Sequence, residues 1–222
     1  MPPWDTLNLA VHVGDDPAAV AANRARVDGW LGVPVAYATQ VHGARVRRVA
    51  GPPPPGSTSV GEADALVTTS AQVGLGVLVA DCAPVLLADP QARVVAVAHA
   101  GRPGLVAGVV QATVAAMQDL GAQVGRVVAV VGPCVAGRSY EVPASLRDEV
   151  DAAVPGTGCV TDWGTPAVDV AAGVRYVLTG LGVSRVELVG TDTYRDESLF
   201  SYRRDGPVTG RSAGLVRLLD PS

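Results

Sequence analysis

Cysteines, histidines and aromatics are scarce in this chain. Three cysteines (Cys82, Cys134 and Cys159) and three histidines occur in 222 residues, and aromatic side chains make up 4%. An odd number of cysteines with no Cys-x-x-Cys pair argues against a disulfide framework and fits a reducing compartment. No apolar run approaches the roughly 20 residues needed to cross a bilayer, and the opening MPPWDTLNLAVHVGDD lacks a basic stretch leading into an apolar one. There is also no long basic block: 17 Lys plus Arg stand against 21 Asp plus Glu, a net charge of -4. Nucleic acid and membrane are therefore excluded as expected partners, and the chain reads as soluble and cytoplasmic. Nothing in it specifies an oligomeric state.

Apolar residues are plentiful, at 48%, together with 26 Gly and 17 Pro. A chain of this length buries roughly 70% of its unfolded surface, enough for one globular domain over residues 1–222. Short β-branched runs alternate with turns and helix-like stretches, which predicts an α/β fold with mixed central sheets flanked by helices. Asp16-Pro17 starts a helix ending at Gly32, with Val20, Val27, Trp30 and Leu31 sharing a face. VPVAYATQVH and ARVRRVA read as strands around a turn at Gly43. The segment GPPPPGSTSVGE, residues 51–62, reads as an exposed loop, since consecutive prolines cannot pair inside a sheet. ADALVTT, GLGVLVAD, PVLLAD and RVVAVAHAG have the unbroken apolar character of strands buried on both faces and predict the central sheet. GLVAGVVQATVAAMQDLG reads as a helix ending at Gly121, and GRVVAVVGP as a further buried strand. PASLRDEVDAAV and TPAVDVAAGVRYVLTGLG read as helices, the second capped by Thr165. RVELVG and AGLVRLL close the chain as strands.

His42, Cys82 and His99 each fall where a predicted strand meets a loop, the place where open sheets put their sites. If these ends meet, two imidazoles and a thiolate would hold a metal ion with one position left open, the arrangement of a catalytic site. A Cys-His nucleophile pair is the competing chemistry at the same residues. In SYRRDGPVTGR, Arg203, Arg204 and Arg211 offer planar forks for phosphate or carboxylate, against the alternative of a solvated hairpin whose charges pair locally. His12 lies in the strand-like LNLAVHVG and reads as a surface residue. Cys134 has no neighbouring base and reads as packing.

Taken in order, NLAVHVGDD, TQVHGARV, ADALVTT, VLVADCAPVLLAD, VAHAG, the GP before SYEV, and SYRRDGPVTGR resemble the laccase-domain, or polyphenol oxidoreductase, family, whose members also carry the names purine nucleoside phosphorylase and peptidoglycan editing factor. The resemblance runs from about Asn8 to the C-terminus. It implies a fold similar to the cytotoxic necrotising factor catalytic domain and a metal, zinc or alternatively copper, on His42, Cys82 and His99. It also implies phosphorolysis of purine nucleosides, methylthioadenosine included, and deamination of adenosine. Asp81, Cys82 and His99 would then serve catalysis, Asp81 carrying a proton or orienting a ligand. Arg203, Arg204 and Arg211 would cradle phosphate, and Asn8, Arg24 and Gln40 would hold ribose or phosphate. Alternative activities under the same resemblance are a copper polyphenol oxidase and a cysteine-type hydrolase editing peptidoglycan precursors. Counting weighs against several coppers, because one blue-copper site would use two of the three histidines and a cysteine.

The chain departs from the family pattern in three places. HAGWRG becomes His99-Ala100-Gly101-Arg102-Pro103-Gly104, the Cys before Tyr-Glu-Val is Ser139, and Cys-Thr before the final motif is Asp192-Thr193. The three expected metal ligands are untouched.

Overall fold

In a computed structural model that describes Trp4 and residues 7–219, four layers stack as helix, sheet, sheet and helices. A three-stranded sheet is formed by β1 (Val35–Tyr37), β4 (Gly74–Val79) and β11 (Ser212–Val216), with β4 central. A six-stranded sheet contains β2 (Val46–Arg48), β3 (Ala65–Thr68), β5 (Ala83–Asp89), β6 (Val94–Ala100), β7 (Val128–Val131) and β10 (Arg185–Leu188), in the order β10-β7-β5-β6-β3-β2. It is mixed: β5 runs antiparallel to β6 and β7, whereas β2-β3 and β7-β10 are parallel. A small hairpin joins β8 (Gly158–Val160) and β9 (Pro166–Val168).

The period-2 pattern of the strands explains the stacking. Along β6, Val95 and Val97 point between the sheets with Leu66, Leu75 and Val77, while Val94, Ala96, Ala98 and Ala100 face the helices. Those helices are α2 (Arg102–Val106), α3 (Val109–Gln118), α4 (Ala144–Ala153) and α5 (Val170–Gly180). On the far side, α1 (Pro17–Leu31) lays Val27 against Val35, Tyr37 and Leu78 of the small sheet. A short α6 (Tyr202–Asp205) precedes β11. Among the described residues, no helix is long and apolar enough to cross a membrane.

Several sequence expectations require correction. GLGVLVAD forms β4 but belongs to the small sheet, because its alternate faces meet two different cores. The strands flanking Gly43 do not form a hairpin: β1 and β2 lie in separate sheets, and LNLAVHVG carries no strand. The 104–121 helix breaks at Gly108, whose φ of 88° is left-handed, into α2 and α3. Thr165 caps nothing, since Pro166–Val168 pairs as β9 and Asp169 caps α5 by accepting from the Ala172 amide. Trp30 is 79% exposed, away from the buried Val20 and Val27. The helix start at Pro17 and its left-handed stop at Gly32 are as the sequence indicates.

Candidate metal centre

The chain crosses between the two sheets at one end of the sandwich, and the chemistry collects there. His42 lies in the connection from β1 to β2, and Cys82 in the connection from β4 to β5. His99, the penultimate residue of β6, pairs across the ladder with Pro84 of β5. One ligand atom from each of these three residues lies within 4.8 Å of the others. The His42 and His99 rings meet edge-on, with centroids 4.7 Å apart. Cys82 Sγ is 3.8 Å from His42 Nε2. The donor set, two borderline nitrogens and a soft sulfur, suits zinc or copper.

Asp64, which the sequence reading missed, organises this group. It is 1% exposed and immediately precedes β3. Its Oδ1 accepts from the His42 amide at 2.8 Å and lies 2.9 Å from His99 Nδ1. Its Oδ2 accepts from the amides of Gly43 at 2.7 Å and Val41 at 3.2 Å. The carboxylate thus fixes the loop around His42, which holds a left-handed φ of 59°, and commits His99 Nδ1 so that Nε2 is left to face Cys82 and His42. The only sequence signal for Asp64 was its place in ADALVTT just before a buried strand.

The electrostatics agree with a ligand set. Burial opposes ionisation of the Cys82 thiol, but hydrogen bonding to His42 and His99 brings it down to about 6. Burial likewise opposes charge on His99, yet Asp64 and Cys82 hold its pKa up at about 9. Both shifts favour the thiolate form of Cys82 beside a protonated His99, and a metal held here would displace that proton. Cys134, by contrast, is pushed up to about 12 by burial and nearby carboxylates, an inert packed thiol. Gly101 is the close wall behind the group: a Cβ there would lie 2.8 Å from His42 Cδ2 and 2.9 Å from Cys82 Sγ. Only glycine fits that approach.

The three ligands border a cavity of about 910 Å³. Of the expected site residues, Arg24, Gln40, Asp81, Arg203 and Arg211 line it with the ligands. Asp81, at φ 86°, has both oxygens engaged: Oδ1 accepts from the Thr193 hydroxyl at 2.6 Å and Oδ2 from the Arg203 amide at 2.5 Å. Gln40 is clamped on the Leu78 backbone through both ends of its amide. Two residues do not reach the cavity. Asn8 is fully buried and braces Ala10, Asp15 and the Arg211 amide. Arg204 directs its fork to the carbonyls of Thr193, Tyr194, Asp196 and Leu199 and to Asp205, so it is part of the framework. Tyr140, Arg102, Thr58 and Ser59 line the cavity as well, the last two from the proline-rich segment. Two of the departing positions meet: Ser139 Oγ donates to Asp192 Oδ2 at 2.7 Å.

A layered α/β fold with a His-Cys-His group, able by its donor atoms to hold a metal ion, bordering a cavity defines the class of protein. The chain belongs to the family described as multi-copper polyphenol oxidoreductase laccase, which it matches over residues 1–219. It is similar to a purine nucleoside phosphorylase of Mycobacterium tuberculosis, with 50% identity over 218 residues covering 97% of this chain and 86% of the relative. Another purine nucleoside phosphorylase, from Streptomyces griseus, is 52% identical over 219 residues, covering 97% and 88%. Among solved structures, YlmD from Geobacillus stearothermophilus superposes with a TM-score of 0.88 at 29% identity, covering 98% of this chain and 86% of the other. The Neisseria meningitidis protein NMB0706 gives 0.86 at 35% identity, covering 98% and 88%.

Proposed function

We propose that this protein is a zinc-dependent purine nucleoside phosphorylase, acting on adenosine, inosine, guanosine and methylthioadenosine, that also deaminates adenosine. The observation that carries the reading is the convergence of His42, Cys82 and His99 at the edge of a cavity spacious enough for a nucleoside with phosphate beside it. The printed names of the relatives support the substrate class.

In this reading His42, Cys82 and His99 hold the metal, with Asp64 fixing the His99 ring. Zinc, when bound, supplies Lewis acidity that makes water a competent nucleophile at neutral pH. In phosphorolysis a phosphate oxygen bonds to the ribose anomeric carbon while the bond to the purine nitrogen breaks. The base leaves with a proton and ribose 1-phosphate remains. Arg203 meets the incoming anion, its backbone tied to Asp81 and its guanidinium 4.9 Å from the centre of the Tyr140 ring. Arg24, Gln40 and Arg211, which line the same cavity, shape the ribose side.

Copper-dependent phenol oxidation fits the family description but not the donor count. His12, the one histidine outside the group, lines the same cavity, but a single further imidazole is too few for a multicopper cluster. The deciding experiment incubates the purified, metal-analysed protein with adenosine, with and without phosphate, and resolves inosine, adenine and hypoxanthine. We expect near-stoichiometric zinc, phosphate-dependent base release and no phenol-driven oxygen uptake. His42→Ala, Cys82→Ser and His99→Ala should each lose the metal and at least about 100-fold in turnover. Normal turnover in any metal-free variant would overturn the reading. Cleavage of peptidoglycan precursors, lost in Cys82→Ser with metal retained, would replace it with the hydrolase alternative.

A further inference from the structure

We infer that Arg102 is the second phosphate-binding cation of the cavity, acting with Arg203 in the role the sequence suggested for Arg204. This deepens the phosphorylase reading and rests on it.

The argument begins with an inventory of charge. Four arginines line the cavity (Arg24, Arg102, Arg203 and Arg211) against one carboxylate, Asp81. Both Asp81 oxygens are already taken by Thr193 and the Arg203 amide. Two of the four guanidinium groups serve the fold. Arg24 donates to the Leu9 and Thr58 carbonyls, and its guanidinium lies 4.4 Å from the Tyr37 ring centre. Arg211 donates to the Thr209 and Gly210 carbonyls. The other two make no side-chain hydrogen bond or ion pair among the described residues: Arg203 stands over the Tyr140 ring at 4.9 Å with its N–H edge uncommitted, and Arg102 has no polar partner. In a chain of net charge -4, unpaired forks turned to a concave wall mark where an anion belongs.

The placement of Arg102 is tied to the metal group. It follows Gly101, whose backbone abuts His42 and Cys82, and the Leu105 amide donates to the Gly101 carbonyl at 2.9 Å to pin the turn. Arg203 is tied through Asp81, the neighbour of Cys82. Both cations therefore spring from backbone that touches a ligand segment. Each guanidinium offers paired N–H donors, and a tetrahedral phosphate offers oxygens for two forks at once.

The test uses the zinc-loaded full chain and the variants Arg102→Gln, Arg102→Lys and Arg203→Gln, with Arg175→Gln on the exposed side of α5 as control. In phosphorolysis, Arg102→Gln should raise KM for phosphate roughly 10- to 100-fold, with zinc content unchanged and the nucleoside KM and phosphate-independent deamination within about 3-fold. Arg102→Lys should recover part of the loss, since it restores charge without the fork. An unchanged phosphate KM in Arg102→Gln overturns the inference. So does a parallel fall in zinc content and deamination, which would mark a structural role. If the wild-type protein does not phosphorolyse nucleosides, the functional reading itself fails. Calorimetric titration of inorganic phosphate into the zinc-loaded protein then decides Arg102 independently: binding lost in Arg102→Gln supports the site, and binding equal in both, or absent from wild type, overturns it.

Discussion

Asp64 uses one carboxylate for two jobs: it holds the backbone of residues 41–43 through three amides and sets the His99 ring through Nδ1. Burial would raise its pKa, yet these bonds, led by that to His99, hold it below the ordinary carboxylate range. Asp64→Asn keeps the size but turns a donor toward groups that are donors themselves. We expect zinc affinity to fall about 10- to 100-fold, read by competition with a chelator of known affinity, while the ligands all remain in the chain. Unchanged affinity would show that the loop holds His42 and His99 without the carboxylate.

At the scale of elements, the far end of β5 is secured by a second buried carboxylate. Asp89 accepts from the amides of Gln91, Ala92 and Gln123 and from the Arg126 guanidinium, tying β5 to the single-turn helix Val124–Arg126 that leads into β7. Burial works against its charge, but Arg126 and the amides depress its pKa to about 2. A depressed carboxylate contributes stability above its unfolded value, about 4, and loses it as pH falls through about 2. Asp89→Asn should therefore cost about 2–4 kcal/mol at pH 7 in urea unfolding, and the stability difference from wild type should shrink between pH 4 and pH 2.

The elements also show how much was legible in advance. The apolar runs marked β3 to β7, because strands covered on both faces leave continuous valines and leucines. They could not say which sheet each strand joins: β4 and β6 read alike, and only the crossings at residues 38–45 and 80–82 separate them. His42, Cys82 and His99 were findable because rare residue types fell beside turns. Asp64 was not, since its role comes from contacts distant along the chain, and Tyr140, though part of the SYEV motif, showed no role until the fold set it under Arg203. Arg204 was misplaced because a sequence shows a guanidinium but not the four carbonyls that occupy it.

For the whole molecule, a metal held by the proposed ligands would couple the two sheets, since each of the connections carrying His42 and Cys82 leaves the small sheet and enters the large one. Metal binding should then report as global stability. With free zinc near 1,000 times its Kd, the gain is about 4 kcal/mol, or roughly 8–16 °C in Tm for a domain of this size. His42→Ala should abolish the shift while leaving the metal-free Tm close to wild type, because the His42 side chain is largely exposed. A zinc-independent Tm in the wild-type protein would count against a bound metal. The thin glycine wall at Gly101 has a different consequence. Because a side chain at Gly101 would collide with His42 and Cys82, variation in what the cavity accepts should fall on its other lining residues, Thr58, Ser59, Tyr140 and the arginines among them. Those positions are where a designer seeking new substrates, or natural drift among relatives, has room to work.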